Sequence, residues 1–155
     1  MSSCLFCRLV AEELPGHGLY EDAQFVVILD KASLGFGHCM IIPKQHVVEV
    51  HELSHQVYVA LFLLAKAIAT RLKAATGVRA IGYTAFGSGL PHAHLHLVPH
   101  DDPQVLADSL KYVHYPSEGE LQEQAQQLRP FLIDLSASGS GDLENPLPEE
   151  GHYSE

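Results

Sequence analysis

Basic residues are scarce in this chain: nine Lys and Arg stand against nineteen Asp and Glu, for a formal net charge of −10. A surface built to hold nucleic acid is basic, so this balance excludes nucleic acid as a general partner. An anionic small molecule would have to be held by local donors rather than by a positive field. Long apolar runs are missing too. No stretch approaches the roughly 18 consecutive apolar residues of a membrane span, and no basic patch precedes an apolar one near residue 1. The expectation is a protein with no membrane partner and no cleavable signal, residing in the cytoplasm. Cysteine is sparse and odd in number, with two of the three residues in Cys4-Leu5-Phe6-Cys7. That pattern disfavours a disulfide framework and favours metal or redox use in a reducing compartment. A length of 155 residues suits one domain with a real core.

Histidine, by contrast, is abundant. Four of the 11 crowd into Pro91-His92-Ala93-His94-Leu95-His96-Leu97-Val98-Pro99-His100. The first three alternate with small or apolar residues, and alternation with period two predicts a strand over residues 92–98. His92, His94 and His96 would then share one face, about 6.5–7 Å apart from ring to ring. Groups that donate, accept or attack near neutral pH would be gathered on a rigid surface.

The rest of the chain reads as an α+β fold. Residues 25–30 and 38–43 are β-branched, apolar runs separated by Gly35-Phe36-Gly37, which predicts two antiparallel strands. Residues 80–86 predict a further strand paired with the histidine strand. Between Ser54, a candidate N-cap, and Gly77, a candidate stop, Val57, Leu61, Leu64, Ile68, Leu72 and Ala75 recur at steps of three and four. Val59, Phe62 and Leu63 widen that apolar surface, for burial in the chain's own core or against a second subunit. Ser117 and Glu120 form a capping box ahead of a short helix that should end before Pro130. From residue 137 the chain turns to Ser-Gly-Ser-Gly and then acidic, with five Asp or Glu and no Lys or Arg. Residues 1–136 are therefore expected to form the domain, and 137–155 a disordered tail.

His-Ala-His-Leu-His-Leu-Val resembles the histidine-triad pattern, three histidines alternating with hydrophobic residues. Gly37-His38-Cys39-Met40-Ile41-Ile42-Pro43-Lys44-Gln45-His46 resembles the second segment of that family, and Cys4-Leu5-Phe6-Cys7-Arg8-Leu9-Val10 the N-terminus of its bacterial members. The segments stand in the family's order over roughly residues 4 to 130. The resemblance implies an antiparallel sheet of about five strands, one long helix and a short C-terminal helix, joined across a homodimer into a larger sheet.

The resemblance also implies roles. His94, the middle histidine, would attack phosphorus, since a neutral imidazole is a competent nucleophile near pH 7. His96 would donate to a phosphate oxygen or help protonate the leaving group, and His38 would join them from a neighbouring strand. Asp30 would accept from the ribose hydroxyls of a purine nucleotide, with Phe6, Leu9 and Ile28 against the base. Ser88 and Gly89, in a Gly-rich turn before the triad, would aim donors at phosphate. Ser88 stands where many members carry a Gln, whose amide reaches further. Cys4, Cys7, His46 and His92 would hold a structural zinc, with no organic cofactor. The implied activity is hydrolysis at the α-phosphate of a nucleoside phosphoramidate or dinucleoside polyphosphate. Nucleotidyl transfer of the galactose-1-phosphate uridylyltransferase type, and a binding module with little turnover, are the alternatives.

Overall fold

The computed structural model describes residues 4–85, 89–133 and 135. Among them five strands form a single antiparallel sheet in the order β1-β2-β3-β5-β4. The strands are β1 (Gly18–Glu21), β2 (Phe25–Leu29), β3 (Cys39–Pro43), β4 (Ala80–Thr84) and β5 (Leu95–His100). The helices are α1 (Leu5–Val10), α2 (His55–Thr76), α3 (Gln104–Ala107), α4 (Ser109–Tyr112) and α5 (Glu118–Leu132). None of the described helices is long and apolar enough to cross a membrane.

Strands β2 and β3 are buried on both faces, and the pleat divides their side chains between two layers. Phe25, Val27, Leu29, Cys39 and Ile41 point to α2 and α5, where they meet Leu61, Ile68, Leu72, Leu121 and Leu128. Val26, Ile28, Met40 and Ile42 point the other way and are covered by Cys4, Phe6 and Leu9 from the N-terminal segment. This second layer is thin. It brings α1 onto the face that also carries the even-numbered positions of β5, including His96.

Local chemistry sets the helix ends. The Ser54 hydroxyl accepts from the Val57 N–H at 3.4 Å, and Gly77 closes α2 in the left-handed region at φ 72°. Ser117 and Glu120 form the expected capping box of α5. That helix runs past Pro130, however, to Leu132. Pro130 lies within the last turn, where a missing N–H removes only one bond. Burial of Leu128 and Leu132 against the core, worth roughly 1.5–3 kcal/mol each, outweighs it.

The histidine strand also begins later than alternation predicts, at Leu95 rather than His92. Its ladder with β3 pairs Met40 with His96 and Ile41 with Leu95 and goes no further. Before that point the backbone turns to other partners: His92 N–H donates to the Leu90 carbonyl and Ala93 N–H to the Val47 carbonyl. His92 and His94 therefore sit on an irregular approach to β5, and only His96 is in the strand. The expected domain limit at 136 and the 137–155 tail lie outside the described residues.

Candidate active site

Two histidine-rich clusters flank the start of β5. In the first, the Cys4 and Cys7 Sγ and the His46 and His92 ligand nitrogens all lie within 4.8 Å of one another. Cys4 Sγ is 3.4 Å and Cys7 Sγ 3.6 Å from His92 Nδ1. His46 Nδ1 lies 3.2 Å from both Cys7 Sγ and His92 Nδ1. Zinc bonds of about 2.3 Å to sulfur and 2.0–2.1 Å to nitrogen at tetrahedral angles put S···N edges near 3.5 Å and N···N edges near 3.3 Å. The observed edges match. His92 Nε2–H donates to the Pro43 carbonyl at 2.8 Å, which leaves Nδ1 unprotonated and turned to the cluster. The donor set, its spacing and this outer contact all fit a four-coordinate metal.

The second cluster is a hydrogen-bonded chain. Leu34 N–H donates to His38 Nδ1 at 3.0 Å, so the neutral His38 carries its proton on Nε2. That proton faces His96 Nδ1, 3.0 Å away. His96, accepting at Nδ1, then carries its own proton on Nε2. Asp30 Oδ2 lies 3.4 Å from His96 Nδ1 and 3.6 Å from His38 Nε2, while Oδ1 accepts from Ala32 N–H at 2.9 Å. Burial pushes His38 down to about 4, against the pull of the Asp30 carboxylate. Burial raises the Asp30 carboxyl, but the nearby His96 and His38 rings and the Ala32 N–H outweigh this, and the net shift is downward. Asp30, His38 and His96 also lie within metal-ligand distance of one another. The Leu34 amide argues for a hydrogen-bonded chain there, since it leaves Nε2 of His38 protonated.

Between the clusters sits His94. Its Nδ1–H donates to the His92 carbonyl at 2.7 Å, which leaves Nε2 unprotonated with its lone pair available. Burial lowers its pKa, the His92 carbonyl opposes the shift, and His96 adds to it. The ring is 4.9 Å from His96 and 5.1 Å from Phe6, centroid to centroid. Phe6 is buried edge-on against His92 and His94. Leu9 and Ile28 instead line a cavity of about 690 Å³ beside β1. A Cβ added at Gly89 would meet no protein atom within 4 Å. Ser88 lies outside the described residues. Cys39 is fully buried, with its thiol pushed up to about 12 by burial, as suits a core residue.

The triad, its partner His38 and the Cys/His cluster thus come together around one turn of chain. Spacing did not reveal the Leu34 amide or the Pro43 carbonyl, the two backbone groups that fix proton positions on His38 and His92. Backbone groups carry no residue-type signal.

This is the arrangement of a histidine-triad protein: an antiparallel sheet presenting a buried, neutral imidazole between hydrogen-bonded neighbours. The HIT domain family matches residues 11–103, and the chain belongs to that family. It is 30% identical over 107 residues to adenosine 5'-monophosphoramidase hnt1 of Schizosaccharomyces pombe, covering 63% of this chain and 74% of that protein. It is 28% identical over 141 residues to adenylylsulfatase HINT3 of Arabidopsis thaliana, covering 86% and 72%. A Zn-bound histidine triad family protein from Mycobacterium smegmatis superposes with a TM-score of 0.72 at 26% identity, over 87% of this chain and 96% of that one.

Proposed function

We propose that this chain hydrolyses a purine nucleotide at its α-phosphate, taking a nucleoside phosphoramidate or dinucleoside polyphosphate and releasing a nucleoside monophosphate. The phosphoramidase and adenylylsulfatase relatives support the reaction class. The observation that carries the reading is the His94 ring, held by its Nδ1–H on the His92 carbonyl and kept neutral by burial. His94 Nε2 bonds to phosphorus while the leaving group departs with the electron pair of its bond. Water then adds to phosphorus, the P–N bond to His94 breaks, and the monophosphate is released. His96, protonated on Nε2, donates to a phosphate oxygen, and His38 keeps it in that form. Such displacement asks for positioning and charge stabilisation, which buried, hydrogen-bonded imidazoles supply.

Asp30 is the acceptor for the ribose hydroxyls, and Leu9 and Ile28 wall the base. Phe6 supports them from behind the histidines. Gly89 and Ser88 are the donors to phosphate. Cys4, Cys7, His46 and His92 hold a structural zinc, which would cross-link the N-terminal segment to the approach to β5. Two copies pair through the open edge of β4 and the exposed Val59 and Leu63 of α2, extending the sheet.

Rapid quench with an α-labelled nucleotide tests the mechanism. An acid-labile, base-stable labelled protein should form in the wild type and be absent from His94→Asn. Turnover with no labelled intermediate, or labelling that survives His94→Asn, would remove His94 as the nucleophile.

A further inference from the structure

The loop that joins β2 to β3, residues 30–38, carries much of the second cluster and the amide that orders it. Asp30 opens the loop, His38 closes it, and Leu34 N–H donates to His38 Nδ1. No helix or named strand lies between Leu29 and Cys39. An amide in such a loop, left to itself, exchanges its partner for water. What holds it is one stretch of chain, residues 114–124, leading into α5. Ser33 and His114 exchange both backbone bonds, each at 2.9 Å. Ser33 is buried, and its hydroxyl donates to the Gly35 carbonyl at 2.8 Å. Gly37 N–H donates to Gln124 Oε1 at 3.2 Å, where the chain turns back to the sheet at φ 81°. Lys31 also reaches Glu118, at 2.6 Å, but as an exposed pair of little energetic weight. The stretch itself is firmly seated. The Ser117–Glu120 capping box fixes the start of α5, and Leu121, Ala125 and Leu128 sink its inner face into the core.

This grip bears on a choice between two proton arrangements. His38 Nε2 and His96 Nδ1, 3.0 Å apart, share one proton. In the first arrangement His38 donates, and His96 keeps its own proton on Nε2. In the second His96 donates from Nδ1, His38 is protonated on Nδ1, and His96 Nε2 carries no proton. Asp30 Oδ2 lies 3.4 Å from the one ring nitrogen and 3.6 Å from the other, so it scarcely separates the two. The Leu34 amide does separate them. A protonated His38 Nδ1 would meet it donor to donor, leaving both donors unpaired in a partly buried place. Only the first arrangement gives His96 an Nε2–H with which to donate.

We propose that Gln124 and Ser33 are positioning residues for the reaction: they hold the 30–38 loop so that the Leu34 amide selects the His96 tautomer able to donate to phosphate. The role of His96 rests on the hydrolase reading above, whereas the proton arrangement is read without turnover. Both residues act through loop backbone, Gln124 on the amide of Gly37 and Ser33 on Gly35 and His114. A side chain of the C-terminal helix thereby takes part in deciding which way a pair of histidines in the sheet points its protons.

Long-range proton–nitrogen NMR of the isotope-labelled full chain reads the tautomers, with His38→Asn and His96→Asn to assign the two rings. In wild type, Nδ1 of both rings should resonate as a pyridine-type nitrogen and Nε2 as a pyrrole-type one. In Gln124→Leu and in Ser33→Ala the two nitrogens of each ring should move towards a common shift as the arrangements mix. With adenosine 5'-phosphoramidate, kcat should fall by about tenfold and KM stay within about twofold. That is part of the roughly hundredfold or more that outright loss of a transition-state donor costs. Gln124→Glu keeps an acceptor for Gly37 N–H and should restore both readouts, as recovery of bulk stability alone would not. A wild-type His96 with its proton on Nδ1 overturns the proposal. So do nitrogen shifts unmoved in both variants, or a fall in kcat that Gln124→Glu does not restore. Should Gln124→Leu fail to fold, wild type and Ser33→Ala still decide the matter. If wild type turns over no phosphoramidate, the hydrolase reading fails, and the nitrogen shifts alone decide whether these residues set the tautomer.

Discussion

His38 should make the protein acid-sensitive by an amount that its burial sets. The imidazole is 3% exposed and pushed from 6.5 to about 4, chiefly by burial. A base whose folded pKa is depressed binds fewer protons in the folded state than in the unfolded one. Its contribution is therefore intact above the unfolded value and is lost as pH falls from about 6.5 towards 4. At about 1.4 kcal/mol per pKa unit, the loss is about 2 kcal/mol between pH 7 and 5, and about 3 kcal/mol by pH 4. His38→Asn removes the titration while its side-chain oxygen can replace Nδ1 as acceptor for the Leu34 amide. The assay is urea unfolding of both proteins at each pH, followed by circular dichroism. Whatever the substitution costs at pH 7, the gap between the two proteins should close by about 3 kcal/mol at pH 4. Metal release in acid affects both and cancels in the difference. Stability curves that run parallel within about 0.5 kcal/mol would refute the reasoning, and with it the neutral His38 that orders the proton on His96.

Purified protein should contain close to one zinc per chain, and Cys4→Ser should lower zinc content and melting temperature together, because metal held only by the folded state adds to folding free energy. A metal-free preparation made without chelators, equally stable with and without added zinc, contradicts this. His94→Asn should reduce turnover to below a few per cent while nucleotide affinity stays within about tenfold, as expected of a group acting in the transition state. Asp30→Ala should weaken ribonucleotides more than 2'-deoxynucleotides, by on the order of 1.5–3 kcal/mol for bonds to a charged acceptor; equal losses for both sugars count against the ribose role. Sedimentation should find a dimer that Leu63→Glu dissociates, and a monomeric wild type at micromolar concentration rules out the pairing.

What could be read in advance from the residues was local chemistry. Ser54 and Gly77 bracket α2 because a hydroxyl cap and a left-handed glycine act within one turn of their own positions. The continuous apolar runs of β2 and β3 likewise need only strands covered on both faces. Misreadings arose where distant parts compete. His92 and Ala93 leave the ladder because Leu90 and Val47 supply carbonyls, and nothing in the alternating run announces them. Pro130 stays helical because Leu132 has a core to enter. Helices α3 and α4 escaped notice altogether. They are short, their segment is tied down by an isolated bridge between Ser33 and His114, and Leu106 fills space over Gly82 that any side chain there would contest. The Cys/His cluster became legible only through resemblance, since 39 residues separate Cys7 from His46 and 85 separate Cys7 from His92.

His92 faces two ways. Its ring belongs to the Cys/His cluster and its carbonyl holds the Nδ1 proton of His94. Whatever tilts that one peptide plane is felt at the His94 ring, so the two clusters cannot drift apart as independent modules. A lineage that discards the cysteines must find another means of keeping the His92 carbonyl aimed, or accept a His94 whose tautomer is no longer assured. For an engineer the same linkage is a dial. Changing the size of an ion held by the cluster would adjust the His94 imidazole through the His92 carbonyl.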